Sequence, residues 1–318
     1  MVFLKLLLVG LCFFALPQGI QAKEKAKLLG YGLLFTNDFF GDGRDRWRTR
    51  SRVSSRVFGS PKISRTLRRK EALNELRLFS QIIAPSDLSR NPDRSHARDE
   101  TGLMEDIDRD YVGHLSIGLH RHFQAGGLAY NFGVDASLLG PQTGLMGLQQ
   151  KVHSEIDQPF PSDFVKNTQV SNQFILGTLT EVARPITLSP STNIRSFVEV
   201  QTGVEDLIRI GVDAGFFGDL SEALFARAPV SGQRYSVIDG TEEGFLLSAG
   251  VDLTRVIGSM FLTGSALRAS KYRARARFGL NYVHGRWSNF IGWTYLSPEF
   301  ETQQTGQLLG SFFIKARF

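Results

Sequence analysis

Asn37 and Asp38 stand side by side in an apolar, aromatic segment, LLFTNDFF, at residues 33–40. An ionised carboxylate is costly to remove from water unless a cation or hydrogen-bond donors compensate its charge. On a regular strand the two side chains point to opposite faces, so both can serve one site only where the strand bends or ends. The following GDGRD, residues 41–45, supplies such an end. The pair therefore begins either a binding site or an ordinary turn.

Among the six histidines, His153 is the candidate for acid–base chemistry, because an imidazole exchanges protons near neutral pH. It ends the segment GPQTGLMGLQQKVH, residues 140–153, in which Leu145, Leu148, Gln149, Val152 and His153 fall at helical spacing. A short helix in a loop would hold the imidazole at one end of the fold. By spacing alone, a lone helical histidine is more often incidental.

Two clusters of like side chains occur elsewhere. His114, His120 and His122 share one face of a predicted strand; a metal cluster is conceivable, but no acidic partner is evident and a solvated face is the simpler interpretation. The segment RDRWRTRSRV places arginines at Arg44, Arg46, Arg48, Arg50 and Arg52. On a regular strand they would form a cationic ladder, which would either bind lipid phosphates or line a solvated face.

The first 22 residues, MVFLKLLLVGLCFFALPQGIQA, are typical of a secretory signal peptide. The one cysteine, Cys12, lies within it, which excludes disulfide and thiolate chemistry from the mature chain. No later segment has about 18 consecutive apolar residues, as a membrane-spanning helix requires. The net charge of +6, on an exported chain, favours an anionic lipid partner over nucleic acid.

Long segments with period-two alternation recur along residues 23–318, among them IRIGVDAGFFG at 208–218 and RARARFGLNYV at 273–283. Turns such as AGG (125–127) and HGR (284–286) are short, whereas the polar connections 86–109, 141–169 and 219–242 are long. This pattern predicts a 12-stranded antiparallel transmembrane β-barrel with short periplasmic turns and long extracellular loops. The predicted strands are 28–38, 46–58, 71–84, 110–123, 127–139, 171–184, 193–203, 207–218, 243–256, 271–283, 286–297 and 305–318.

A secreted β-sandwich is the alternative fold. The alternating segments are about 10 residues or longer, which is enough to cross a bilayer at a tilt, whereas sandwich strands commonly have about 5 or 6 residues. The chain also ends on an aromatic residue, Phe318, in SFFIKARF. We therefore expect a barrel in the bacterial outer membrane, and in a barrel of this size side chains fill most of the interior.

Six fragments, in this order, resemble the lipid A 3-O-deacylase (LpxR-like) family of outer-membrane barrels. They are TND at 36–38, DRWRT at 45–49, APSDLS at 84–89, DRDYVGHLSIGL at 108–119, GPQTGLMGLQQKVH at 140–153 and SPEF at 297–300. The resemblance covers nearly the whole mature chain. This sequence departs from the family pattern at Arg48-Thr49-Arg50-Ser51, where the family has Tyr-Thr-Asn-Gly.

The resemblance implies a calcium-dependent enzyme that hydrolyses the 3′-linked acyloxyacyl ester of lipid A. It implies that His153 is the catalytic histidine and that Asn37, Asp38 and Thr49 belong to the same site. Arg90 aligns where the family can carry a lysine proposed to stabilise the oxyanion. Carboxylate and carbonyl oxygens are ligands that calcium prefers, which makes Asp38 and Asn37 the candidate metal ligands. Since no Gly-x-Ser-x-Gly motif is present, we expect His153 to activate water.

Two other functions remain open. The protein could be a non-enzymatic barrel, an adhesin or porin-like protein, in which His153 is incidental. It could also be an outer-membrane phospholipase, although such barrels use a serine beside the histidine and none stands just before His153. We expect a monomer that binds lipid A or lipopolysaccharide.

Overall fold

A closed antiparallel β-barrel of twelve strands forms the fold, which confirms the predicted fold class. The computed structural model describes residues 26–59, 72–90, 108–218, 223–240, 243–262 and 267–317. The predicted signal peptide, residues 1–22, and the terminal Phe318 lie outside the described residues. Within the described part of the chain, no helix is both long and apolar enough to cross a membrane.

The barrel strands lie close to the predicted ranges. They are β1 (Lys27–Asn37), β2 (Trp47–Gly59), β3 (Leu73–Ala84), β4 (Val112–Ala125), β5 (Leu128–Leu139), β6 (Gln173–Ser189), β7 (Thr192–Thr202), β8 (Glu205–Phe216), β11 (Gly244–Ser259), β12 (Tyr272–His284), β13 (Trp287–Leu296) and β14 (Gln307–Ala316). Strand β6 runs five residues beyond its predicted end. The ring closes where β1 pairs with β14.

Two short strands, β9 (Leu224–Arg227) and β10 (Arg234–Ile238), form a separate hairpin. The hairpin lies inside the barrel, where Tyr235 and Val237 are fully buried. It packs against β1, and a side chain on Gly30 could not fit, because its Cβ would lie 2.2 Å from the carbonyl oxygen of Val237. The glycine therefore allows the close approach of two backbones.

The position of this hairpin corrects one expectation. Residues 219–242 were predicted to form a long loop on the side opposite the short turns. Strand order instead places the segment at the same end of the barrel as the short turns at 126–127, 190–191 and 285–286. The described residues 223–240 fold back into the lumen rather than into solvent. The long connections at 38–46, 140–172 and 297–306 lie at the other end, which the rule of short periplasmic turns identifies as extracellular.

The lumen is filled by paired charges. Near the extracellular end, Glu299 accepts hydrogen bonds from Arg48 and Arg109, each at 2.5 Å, and Arg48 also contacts Glu205 at 3.0 Å. Lower down, Arg227 of the hairpin pairs with Asp213 at 2.7 Å. Such mutual compensation lets charged side chains occupy a barrel interior. It agrees with the prediction that side chains fill the lumen.

The predicted five-arginine ladder on β2 is wrong. Two residues of β2, Arg48 and Thr49, face a single residue of β3, because Trp47 pairs with Ala84 and Arg50 pairs with Ile82. Trp47 lies in the left-handed region at φ 51°, and this bulge turns both Arg48 and Thr49 inward. Below the bulge the alternation resumes.

The three histidines of β4 also differ from expectation. His114, His120 and His122 do share one face, but all three are buried in the lumen rather than solvated. Acidic partners come from neighbouring strands: His120 contacts Asp135 at 3.2 Å, and His122 contacts Glu75 at 2.6 Å. These histidines belong to the charge-paired interior.

Candidate active site

Asp38 follows β1 directly and turns inward, while Asn37 faces the other way, as the alternation predicts. The Asp38 side chain is fully buried. Its Oδ2 accepts hydrogen bonds from the Arg46 backbone N–H at 2.9 Å and from the Gln307 amide at 3.4 Å, and its Oδ1 accepts one from the Thr49 hydroxyl at 2.8 Å. These donors compensate the carboxylate that stands in the apolar segment. Burial is the main cause that raises the pKa of Asp38 to about 7.

Thr49 lies between two carboxylates. Its hydroxyl is within hydrogen-bond distance of Asp38 Oδ1 and also of Asp45 Oδ1. A hydroxyl has one proton to donate, so it satisfies only one of the two acceptors at a time. The nearby charges of Asp45 and Asp42 add to the rise in the pKa of Asp38. This group of carboxylates therefore favours an additional proton or a cation.

His153 lies on helix α1 (Leu145–Ile156), as predicted, and is almost fully buried. Its Nδ1 is 2.7 Å from the carbonyl oxygen of Pro159, and its Nε2 is 2.8 Å from Asp45 Oδ2. A carbonyl oxygen can only accept, so Nδ1 must carry a proton. The Asp45 carboxylate also only accepts, so the contact places a proton between Oδ2 and Nε2, and Nε2 is the nitrogen that can exchange it.

Gln149, one helical turn before His153, joins the helix to the barrel. Its side-chain amide donates to Asp45 Oδ2 at 3.1 Å, and its Oε1 accepts a hydrogen bond from the Tyr111 hydroxyl at 2.8 Å. Burial raises the pKa of Tyr111, which precedes β4, so the phenol stays a donor. The buried face of α1 is thus Leu145, Gln149 and His153, whereas Leu148 and Val152 are exposed.

Asp45 connects the predicted site residues and is not itself one of them. It contacts His153, Thr49 and Gln149, and Thr49 in turn contacts Asp38. The sequence contained two indications of this role. Asp45 begins the DRWRT fragment, and the two residues of α1 that contact it, Gln149 and His153, are spaced to share one helix face. The contact between Asp45 and α1 joins distant parts of the chain, so spacing could not reveal it.

Two predicted site residues are placed differently. The Asn37 side chain accepts a hydrogen bond from the Phe39 N–H at 2.7 Å and stays on the outer side of β1. The Arg90 guanidinium contacts the carbonyl oxygen of Asp108 at 3.3 Å and the carboxylate of Asp110 at 3.6 Å. Neither side chain contacts His153, Asp45 or Asp38 within the described part of the chain.

The donors of this site match calcium in type and in charge. Asp38, Asp42 and Asp45 lie within eight residues, and Asp42 Oδ1 is buried without a hydrogen-bond partner among the described residues. Hard oxygen donors with excess negative charge suit a divalent cation. Among the described residues, however, no three acidic or histidine side chains are close enough to hold a metal ion by themselves. Asp38 would need further oxygen ligands from the backbone, water or a substrate.

A family model described as "Outer membrane protein LpxR" matches residues 6–318. The chain belongs to the LpxR family. The structure of LpxR from Salmonella typhimurium matches with a TM-score of 0.71 and 17% sequence identity, covering 91% of this chain and 100% of that one. The β domain of the Bordetella autotransporter BrkA matches with a TM-score of 0.40 and 10% identity, covering 91% of this chain and 99% of that one. No curated protein sequence matches.

Membership of the LpxR family, together with a closed 12-stranded barrel, places the chain in the bacterial outer membrane. This confirms the predicted localisation. The outer surface agrees with that environment, because large apolar and aromatic side chains such as Ile210, Leu253, Ile291 and Trp293 are exposed on it. The site at Asp38 and His153 lies at the end of the barrel that carries the long connections.

Proposed function

We propose that this LpxR-family protein is a calcium-dependent lipid A 3′-O-deacylase, which hydrolyses the 3′-linked acyloxyacyl ester in the outer leaflet of a Gram-negative bacterium. Family membership supports an outer-membrane protein that modifies lipid A. One observation carries the proposal of ester hydrolysis. His153 is held by Pro159 and Asp45 at the loop end of the barrel, with Nε2 facing a group of carboxylates.

The proposed reaction uses His153 Nε2 as the general base. In the form that reacts, the ring is neutral with its proton on Nδ1, and water replaces Asp45 Oδ2 at Nε2. Nε2 then takes a proton from this water as the water oxygen attacks the ester carbonyl carbon. Asp45 stabilises the imidazolium that forms, and the Pro159 carbonyl keeps the ring oriented. When the tetrahedral intermediate collapses, the bond from the carbonyl carbon to the sugar 3′-oxygen breaks. The imidazolium returns its proton to that oxygen, which releases the acyloxyacyl chain as a carboxylic acid and leaves a free hydroxyl.

Calcium, when bound, would polarise the ester carbonyl and stabilise the oxyanion. Asp38 would hold it, and Thr49 would orient the Asp38 carboxylate through their 2.8 Å hydrogen bond. Asn37 would join as a ligand only after its side chain leaves the Phe39 N–H. Arg90 would add positive charge at the oxyanion if its side chain turned from Asp110; its Nε is buried without a partner among the described residues.

The contacts of His153 favour this function over a phospholipase. Its two ring nitrogens contact Pro159 and Asp45, and no serine hydroxyl is hydrogen-bonded to it among the described residues. The neighbouring Ser154 hydroxyl donates instead to the carbonyl oxygen of Lys151 at 2.7 Å. Water is therefore the better nucleophile. Each barrel carries this set of side chains itself, which supports action as a monomer.

Mass spectrometry of lipid A tests the proposal. Cells that express the protein should contain lipid A lighter by one acyloxyacyl group than lipid A from cells without it. Unchanged lipid A would favour the adhesin or porin-like alternative. Purified protein should release the chain from lipid A but no fatty acid from glycerophospholipid, and excess chelator should stop the reaction. Full activity in chelator would remove calcium from the proposal, and release from glycerophospholipid alone would favour the phospholipase.

A further inference from the structure

The outer face of β2 differs from the other lipid-facing surfaces. Below the bulge, side chains alternate, and Arg50, Arg52 and Arg56 point outward while Ser51 and Val53 point into the lumen. Outward positions on another part of the wall are apolar, for example Ile208, Ile210 and Val212 on β8. Arg50 and Arg52 lie in the extracellular half of β2, whereas Arg56 lies three residues from its periplasmic end.

Arg50 and Arg52 have no acidic partner among the described residues. Across β1, Arg50 faces Asn37 and Arg52 faces Phe35; across β3, Arg52 faces Ser80. The Arg52 guanidinium lies over the Phe35 ring, 5.4 Å from its centroid. This ring supports the side chain but cannot neutralise its charge. Uncompensated charge on a lipid-facing wall is unfavourable, so an external anion would stabilise both residues.

The geometry suits phosphate groups. Two residues on one face of a strand are about 6.7 Å apart, and each guanidinium can hold a phosphate through two parallel hydrogen bonds. A second copy of this chain, packed symmetrically on β2, would bring arginines against arginines. Charge complementarity therefore favours a phosphorylated lipid of the outer leaflet over a protein partner.

We propose that Arg50 and Arg52 form a binding surface for the phosphate groups of an outer-leaflet glycolipid on the outside of β2. The surface begins beside the candidate active site, because Arg50 follows Thr49 in sequence and pairs with Asn37 across the strands. A lipid held there would keep its sugar head group at the height of His153. Binding at this surface does not require that the protein hydrolyse the lipid.

The test measures lipid binding without catalysis. Full-length mature protein carrying His153→Ala, in nanodiscs, is titrated with labelled lipid A and with dephosphorylated lipid A. With both arginines present, lipid A should bind at least about tenfold more tightly than dephosphorylated lipid A, since a factor of ten corresponds to the free energy of one modest charge-assisted contact. The double variant Arg50→Gln/Arg52→Gln should bind the two lipids with equal affinity. Circular dichroism confirms that the variants are folded barrels.

Two control variants remove outward arginines elsewhere. Arg56→Gln changes the same face of β2 near the periplasm, and Arg255→Gln changes β11, where Arg255 is exposed four residues from the extracellular end. Both should bind lipid A within about twofold of the parent protein. The proposal fails if the double variant keeps full affinity, if dephosphorylated lipid A binds equally well, or if Arg255→Gln loses as much as the pair. Because His153 is already removed, none of these outcomes depends on deacylation.

Discussion

Asp45→Asn tests how His153 is controlled. In the native structure Asp45 Oδ2 lies 2.8 Å from His153 Nε2, while Nδ1 stays committed to the Pro159 carbonyl. Asparagine has the same shape but no charge. Its amide can donate to the neutral Nε2, which would occupy the lone pair that takes the proton from water. It would also leave the imidazolium without a counter-charge, so we expect slower catalysis in a folded barrel.

The size of the effect follows from this contact. A hydrogen bond to a charged group contributes about 1.5–3 kcal/mol. The Asp45 side chain is 31% exposed, so solvent screening places its contribution in the lower part of that range. At about 1.4 kcal/mol per factor of ten, Asp45→Asn should lower kcat by about 10- to 30-fold. KM should change little, because Asp45 acts on the imidazolium that forms in the transition state.

The assay follows release of the acyloxyacyl chain from lipid A by purified protein over a range of substrate concentrations. Asp163→Asn is the matched control, because it removes the same charge from the short helix Asp163–Asn167 at the extracellular end, where Asp163 pairs with Lys166 at 2.9 Å. It should keep wild-type kcat. If Asp45→Asn also kept wild-type kcat, Asp45 would not stabilise the imidazolium and the reasoning would be wrong.

Three further predictions concern neighbouring groups. Asp38→Asn should be inactive yet have a higher melting temperature than wild type at pH 8 in chelator. The native state raises the pKa of Asp38 from 3.8 to about 7, so the wild-type free energy of unfolding falls as pH rises between these two values. The difference in melting temperature between the variant and wild type should therefore shrink toward pH 4. Glu299→Gln should lower the melting temperature, because it removes the negative charge that Arg48 and Arg109 share. Leaving a buried charge without its partner costs about 3–5 kcal/mol, so an unchanged melting curve would contradict this. Arg90→Ala should lower kcat about a hundredfold, while Arg90→Lys restores it. Equal kcat in both variants would exclude an oxyanion role.

The twelve-stranded barrel could be predicted from the sequence. Strands that cross a bilayer must be long and must alternate, and this pattern located all twelve to within a few residues. The same alternation placed Asp38 and Asn37 on opposite faces of the strand, and the structure has Asp38 inward and Asn37 outward. Helical spacing correctly put Gln149 and His153 on one buried face of α1.

Other features depended on contacts that no local pattern encodes. The arginine ladder failed because one bulge, at Trp47, shifts the parity of β2. The hairpin at 224–238 resembled a polar loop, and only tertiary contacts such as its packing on Gly30 show that it fills the lumen. Asp45 and His153 meet through tertiary folding alone. The roles of His153, Asn37, Asp38, Thr49 and Arg90 in catalysis remain predictions.

The most direct measurement compares wild-type protein with His153→Ala on purified lipid A in the presence of calcium. Mass spectrometry follows release of the 3′-linked chain, and heat-modifiable electrophoretic migration confirms that both proteins are folded barrels. The account predicts that wild type releases the chain and that His153→Ala loses at least about a hundredfold in rate, since general base catalysis contributes about 10²–10⁴-fold. Release at the wild-type rate by folded His153→Ala would contradict it.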